Sequence, residues 1–566
     1  SGGASPPMIP RLREIPSSNT DDAVSSGAVM GSGLLLQISG KLSELLGANY
    51  FCRGVRRSGK YVCGNRISDE NVISEAVELL IEAVNRLLKW QVWDPWWIDK
   101  HREDWLIARK NIKEKLRGKY RDDVVNAILK LIDKYVRYVD KFRDYWLRNG
   151  IGNEIKKIIE DLLNGKAEVI IQGNNTMGIG IHGRYVILNV SRTSPGGSIT
   201  VHLRLKGLKG ESIIVPNVFR GTMSKEDYEG FVKEILRAFR GGFAETDEYV
   251  DNGKAAMGTT QVWQAIVWSL LYPGVIHIRI NTVNTNKEDV TIVWRLKSNE
   301  HDSLKGIILN NVEELSNKAV LALMFTAILG DGSALIEKNV RDNRVYNKAV
   351  IKITMSSKKF EVWKPLLDKL WSNDFRWSKY ESKDGTIMVR FNANNAINLV
   401  KSMITVLPPI LKDILDALGF KKWINLKQIA EIVPKFRWRE SSVTIAGYSF
   451  TVHVHDIREG KLRLERDVKD KTEAEKILNI LRMRYGDELM VRINNKKDKY
   501  RIIIPSRAFK NFDDIKEQVI QVLCRKFRET IDEAKRQGLI KALKRLTPTE
   551  GGGRGKKLKM FKRLEL

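Results

Sequence analysis

Cysteine occurs only three times in 566 residues, too few for a disulfide scaffold. Histidine occurs seven times, and no second Cys or His pair lies near Cys52 and Cys63 to complete a four-ligand zinc site. Long apolar runs are also missing. Ala319–Gly330 is too short to span a bilayer, and Val262–Ile280 is interrupted by Gln264 and by Pro273-Gly274. No positive-then-apolar leader opens the chain. An intracellular, cytoplasmic, non-secreted protein with no membrane partner is therefore expected. Acidic residues are in short supply, 68 Asp and Glu against 97 Lys and Arg, giving a net charge of +29 and a pI near 9.8. Such an excess favours a polyanion, with nucleic acid first and a membrane surface second. Glutamine is scarce while Lys, Arg, Glu and Ile are plentiful, the bias of hyperthermophilic proteins. The opening Ser1 fits a trimmed chain or part of a longer one, and the end at Leu566 lacks the terminal His-Asn of a whole self-splicing intein.

The most informative stretch is Ala319–Ser333, AVLALMFTAILGDGS. An apolar helix there ends abruptly in Gly330-Asp331-Gly332. A carboxylate is costly in an apolar core, so Asp331 belongs at a rim or seam. Two strand-like runs follow, Ser333–Lys338 and Ala349–Met355, then a helix over Phe360–Trp371. Strands at Phe375–Glu381 and Thr386–Asn392 come next, joined by Ser-Lys-Asp-Gly, and helices at Asn394–Leu407 and Pro409–Leu418 close the segment. This order, helix, hairpin, helix, hairpin, helix, together with the ILGDGS ending, resembles a LAGLIDADG homing-endonuclease domain over Asn299–Phe420. A looser resemblance is to long, basic repeat-family proteins of hyperthermophilic archaea, of mobile-element type.

The resemblance implies that two such helices pack through small residues, here Thr326, Ala327, Gly330 and Gly332. It also implies that Asp331 binds Mg²⁺ and is catalytic, and that the strands form a saddle for double-stranded DNA, with RNA as the second candidate. The candidate contacts are Arg341, Arg344, Lys348, Lys352, Arg376, Lys379, Arg390 and Lys412, with Glu337 on the same strands. Many members of that family carry a polar residue at the end of the second strand and a lysine near the start of the closing helix. Here Met355 stands at the first place, and Asp413 or Ile414 at the second with Lys412 close by. Two function classes stay open: a metal-dependent, site-specific DNA endonuclease, or a catalytically inactive DNA- or RNA-binding regulator or maturase derived from that fold. A third, weaker class is a structural partner in a larger assembly.

The expected fold class is α+β and multidomain. Residues 1–33 are rich in Ser, Gly and Pro and read as a flexible N-terminus. Residues 34–165 read as a helical domain that includes, ahead of its long helices, a basic hairpin, FCRGVRRSGKYVCGNR, whose Cys52 and Cys63 form either a cross-strand disulfide or two free thiols. The bend WQVWDPWW reads as a packing joint between helices, with base stacking as the alternative. Residues 166–298 read as an α+β domain without a catalytic constellation. Gly178–Gly183 matches G-x-G-x-x-G by letters, but a strand follows where a phosphate loop needs a helix. Residues 299–420 are the LAGLIDADG-like repeat. Residues 421–540 repeat the element order and read as a degenerate second copy, with Glu431 its only acidic candidate and Asn425–Val433 expected beside Ala319–Gly330. The chain is thus either a monomer with two pseudo-repeats or a homodimer. Residues 541–566 form a flexible basic tail suited to a non-specific phosphate grip.

Overall fold

The computed structural model describes residues 41–173, 178–192, 197–341, 344–432, 441–496, 499–530 and 533–546. The N-terminal stretch, Val433 and the tail beyond Leu546 therefore lie outside the described residues. The chain is a mixed α+β protein that divides into two compact units between Ala430 and Glu431. No helix among the described residues is long and apolar enough to cross a membrane.

In the first unit, a hairpin of β1 (Tyr50–Arg57) and β2 (Lys60–Arg66) precedes four helices: α1 (Glu70–Lys89), α2 (Trp96–Leu116), α3 (Asp122–Arg148) and α4 (Ile151–Leu163). Strands β3 (Glu168–Gln172), β4 (Gly178–His182), β5 (Val186–Arg192), β6 (Ile199–Leu205) and β7 (Glu211–Val215) follow. The expected boundary at residues 165–166 is crossed, because β1 pairs in parallel with β3, Tyr50 opposite Glu168. Helices and sheet also share one aromatic core. Trp105 of α2 stacks on Tyr135 of α3 with centroids 4.4 Å apart, and both rings meet Trp294 edge-on. Burying three such rings makes the helices a layer on the sheet, since each removes a large apolar area from water. Trp97, in the tryptophan-rich bend, is buried and donates its indole N–H to the Val92 carbonyl at 3.1 Å. Cys52 and Cys63 are joined by a disulfide, with Cα atoms 5.6 Å apart.

The chain then runs through two copies of one pattern. The first begins with α5 (Lys225–Gly230), capped by the Ser224 side chain on the Asp227 N–H, a π-helical turn (Phe231–Leu236) and α6 (Arg237–Ala244). It continues with β8 (Glu248–Asp251), β9 (Lys254–Thr259), α7 (Val262–Leu271), β10 (Gly274–Thr285) and β11 (Val290–Asp302). The second copy begins with α8 (Asn317–Leu329), followed by β12 (Gly332–Arg341), β13 (Arg344–Ser356), α9 (Ser357–Ser372), β14 (Ser378–Glu381) and β15 (Thr386–Asn392). It closes with α10 (Asn394–Thr405), α11 (Pro409–Leu418) and α12 (Lys421–Glu431). The sheet orders correspond: β8-β9-β11-β10 in the first copy, inside the larger sheet, and β12-β13-β15-β14 in the second. In both, the last strand inserts beside the second. The segment that completes the pattern of residues 299–420 thus lies upstream, within the expected 166–298 domain.

The second unit carries the same order again. Strands β17 (Tyr448–Asp456), β18 (Lys461–Val468), β20 (Lys499–Pro505) and β19 (Arg492–Lys496) are neighbours in that sequence, with β16 (Ser442–Ile445) added at the β17 edge. Helix α13 (Lys471–Tyr485) connects β18 to β19.

Candidate active site

Helices α6 and α8 pack along a seam of small residues. A Cβ on Gly242 would run into the Thr326 hydroxyl, the Leu323 carbonyl and, at 2.8 Å, the Ala327 nitrogen. One on Gly330 would run into the Thr246 hydroxyl and lie 3.1 Å from Asp247 Oδ2. Thr326 Oγ1 crosses the seam to donate to the Phe239 carbonyl at 2.7 Å. Of the four expected packing residues, Thr326, Ala327 and Gly330 face α6. Gly332 instead opens β12 and approaches Ile328 of its own helix.

This close approach brings the two helix ends together, and with them two carboxylates. Asp331 follows α8, and Asp247 follows α6. Asp247 Oδ2 lies beside Gly330, the residue that precedes Asp331, near enough for the Asp331 charge to act on it. Burial first, and then the negative charge of Asp331, push the Asp247 carboxyl above its usual range, against the pull of Gln264 and Lys422. Gln264 Nε2 donates to Asp247 Oδ2, and Gln264 is itself held by the Thr259 hydroxyl, which donates to its Oε1 at 2.6 Å. Lys359 Nζ sits 2.9 Å from Asp331 Oδ2. Lys422 Nζ donates to the Leu329 and Gly330 carbonyls, both at 2.7 Å, and so satisfies the end of α8. Its ammonium is largely buried near both carboxylates, and that burial lowers its pKa. A cavity of about 390 Å³ opens here, lined by Asp247, Gln264, Gly330, Phe420 and Lys422 among others.

Two carboxylates from two helix ends suit a divalent cation. Their mutual repulsion is relieved by a positive ion, and Mg²⁺ takes few protein oxygens beside water and phosphate. Among the described residues no group of three or more His, Cys, Asp or Glu gathers to hold a metal. Glu431, the only acidic candidate that the downstream repeat offered, ends α12; Asp247 is the acid beside the end of α8. Helix α12 also approaches α8, with Trp423 edge-on to Phe325 at 6.0 Å and Asn425 donating to the Ala334 carbonyl at 2.8 Å.

Next to Asp247, Glu248 is nearly fully buried. Its Oε1 accepts from Trp268 Nε1 at 2.6 Å and Tyr272 OH at 2.7 Å, and burial pushes its carboxyl up to about 7. The protonated form is therefore favoured by folding. Its contribution is fully present below the unfolded value near 4.5 and is lost as pH rises through about 7. Glu248→Gln should leave the thermal midpoint at pH 5 nearly unchanged and raise it at pH 8. The penalty removed is of the order of 3 kcal/mol at ~1.4 kcal/mol per pKa unit. An equal shift at both pH values would refute this.

The expected nucleic-acid contacts fall into groups. Lys348, Lys352 and Arg390 share one face of the second sheet with Glu337. Lys348 is opposite Glu337, Lys352 opposite Arg390, and Arg390 ion-pairs with Glu337. Lys379 pairs in register with buried Val389, and its ammonium lies 4.9 Å from the Phe360 ring centroid, on the helix-packed face. Arg376 precedes β14 and stacks near Trp371. Arg341 and Arg344 are opposite each other at the β12–β13 turn; their side chains are outside the described set. Lys412 is exposed on α11, whose Asp413 is engaged by Lys119 and by the Tyr120 hydroxyl at 2.7 Å. Met355 is buried in β13, opposite Ile387. The first sheet carries a basic face that sequence reading did not single out. Arg279 is opposite Arg295, and His277 opposite Lys297, alternating with buried Ile278, Ile280, Trp294 and Leu296.

No protein-family model matches this chain, and no curated protein matches it. Among solved structures, the homing endonuclease I-WcaI bound to its DNA recognition sequence aligns over 37% of this chain and 100% of its own, at 15% identity and a TM-score of 0.23. The LAGLIDADG meganuclease I-CpaMI bound to uncleaved DNA aligns over 42% of this chain and 94% of its own, at 12% identity and a TM-score of 0.13. The LAGLIDADG homing endonuclease I-GzeII in complex with its DNA target aligns over 42% and 93%, at 13% identity and a TM-score of 0.12.

Proposed function

We propose that the chain is a metal-dependent DNA endonuclease of LAGLIDADG type, whose two halves lie within the first unit, in tandem. The observation that carries this is the facing pair Asp247 and Asp331, one from each of two helix ends packed through Gly242 and Gly330. Each half adds a sheet face with like charges directly opposite, Arg279 with Arg295 and Lys352 with Arg390. Like-charge cross-strand pairs destabilise a sheet by themselves, and a phosphate backbone along the face removes that cost.

The residues would act as follows. Asp247 and Asp331 hold the cation, Mg²⁺ in the simplest case. That ion would activate water and stabilise the leaving oxygen. Gln264 fixes the orientation of Asp247. Lys359 and Lys422 supply positive charge beside the carboxylates, where a scissile phosphate would lie. The basic sheet faces hold the flanking duplex, with double-stranded DNA as the partner.

A non-cleaving DNA-binding protein is the second reading. Lys359 and Lys422 favour it, because two ammonium groups neutralise the two carboxylates without any metal. The two separate on a plasmid library of random targets incubated with Mg²⁺ or Mn²⁺. Endonuclease activity should give linear or nicked product that EDTA suppresses. Retained binding with no product under either metal would select the second reading.

A further inference from the structure

The β1–β2 hairpin lies at the far edge of the large sheet from Asp247, and nothing in the site above uses it. From Tyr50 to Arg66 it holds five cations, Arg53, Arg56, Arg57, Lys60 and Arg66, and no acid. Among the described residues none of the five has an ion-pair partner, whereas many other surface cations of this chain do, for example Lys100 with Asp289 and Arg109 with Asp133. Arg57 lies directly opposite Lys60 across the turn, and Arg56 opposite Tyr61. Lys60 also lies close enough to Lys206 to lower that ammonium's pKa, after burial and against the opposing pull of Glu154. Such a concentration of one sign is self-repelling.

The hairpin is nevertheless held stiffly. Ser58 and Gly59 take positive φ values of 49° and 76° in a two-residue turn, the geometry that matches strand twist. The Cys52–Cys63 disulfide ties the strands at the base, and buried Phe51 and Cys52 anchor that end. Val55, Tyr61 and Val62 stay exposed between the cations.

We propose that this hairpin is a second DNA-binding element, a rigid cationic β-ribbon that grips duplex DNA away from the carboxylate pair. A two-stranded ribbon fits the major groove, with arginines on phosphates and guanine edges and the exposed apolar side chains against thymine methyls. The sheet order places nine inter-strand steps between β2 and β8. At ~4.8 Å each that is about 40 Å along the sheet, or roughly one turn of duplex. The ribbon therefore lengthens the bound site beyond what the two halves cover. The proposal takes duplex DNA from the functional reading above, but its test reads binding, so a chain that binds without cutting leaves it standing.

The test compares the full chain with Arg56→Ala/Arg57→Ala/Lys60→Ala, three exposed tip positions, on a random-sequence duplex of about 40 base pairs. Each phosphate left without its cation should reduce the slope of log affinity against log salt by ~0.9, so a drop of about 2–3 is expected. Hydroxyl-radical protection should disappear at one end of the footprint only. The charge-keeping variant Arg56→Lys/Arg57→Lys/Lys60→Arg should retain both. An unchanged slope and footprint in the alanine variant would overturn the proposal. So would a loss seen only with single-stranded DNA or RNA.

Discussion

Asp247→Asn and Asp331→Asn should each reduce metal-dependent cleavage by at least about 10³-fold while leaving DNA affinity within about threefold of wild type. Removing one charged oxygen donor from a pair takes away most of the cation's electrostatic hold, and the transition-state charge it stabilises is worth several kcal/mol. Affinity rests on phosphate contacts spread over the sheet faces. Losing one carboxylate near phosphates alters it little, or improves it. The Asn side chain keeps the shape of the seam, where Asp247 Oδ2 accepts from Gln264 and Asp331 Oδ2 from Lys359. The two variants should also behave alike, since each breaks the same pair. Single-turnover cleavage beside a binding titration decides this. A variant that cuts at the wild-type rate would reduce its residue to a helix-end carboxylate.

The second large effect is expected at the seam. Gly242→Ala should lower stability by about 2–3 kcal/mol, the upper range for overpacking. Its added methyl meets the Leu323 carbonyl and the Ala327 nitrogen, both backbone, as well as the Thr326 hydroxyl. A flexible side chain could turn aside, but these backbone atoms move only if the helices separate. Separation would also pull the Thr326 hydroxyl from the Phe239 carbonyl and widen the gap between Asp247 and Asp331. Cleavage should therefore fall more steeply than stability predicts. Gly230→Ala, in α5 with nothing within 4 Å of the added Cβ, is the control and should be neutral or mildly stabilising, because alanine has the higher helix propensity. Denaturant unfolding of both variants checks the difference. Equal effects would mean that the close approach at Gly242 is not under strain.

Asp331 and the element order around it were legible because each signal is local. An apolar run stops at Gly-Asp-Gly, and two hairpins with polar turns flank a helix. Asp247 was not legible for equally local reasons. Its helix contains a π-helical turn over Phe231–Leu236, which shifts the apolar period so that the pattern fades before Gly241-Gly242. The strand after it has only four residues, Glu248–Asp251. The available signal was the Asn252-Gly253 turn, whose φ values of 52° and 78° are those of a tight hairpin. With that hairpin recognised, Lys225–Lys297 shows the same order as Asn317–Asn392. The parallel pairing of β1 with β3 joins residues more than 100 positions apart, and no local pattern announces it. Lys379 illustrates a different limit. Its face is fixed by register with Val389, and a one-residue slip would reverse it.

The central claim is that Asp247 and Asp331 together hold a divalent cation. The most direct measurement is an anomalous difference map from crystals of the protein–DNA complex grown with Mn²⁺. The account predicts a peak within coordination distance of both carboxylates and of a phosphate oxygen. Density filled by the Lys359 or Lys422 ammonium, with manganese absent from that position, would contradict it.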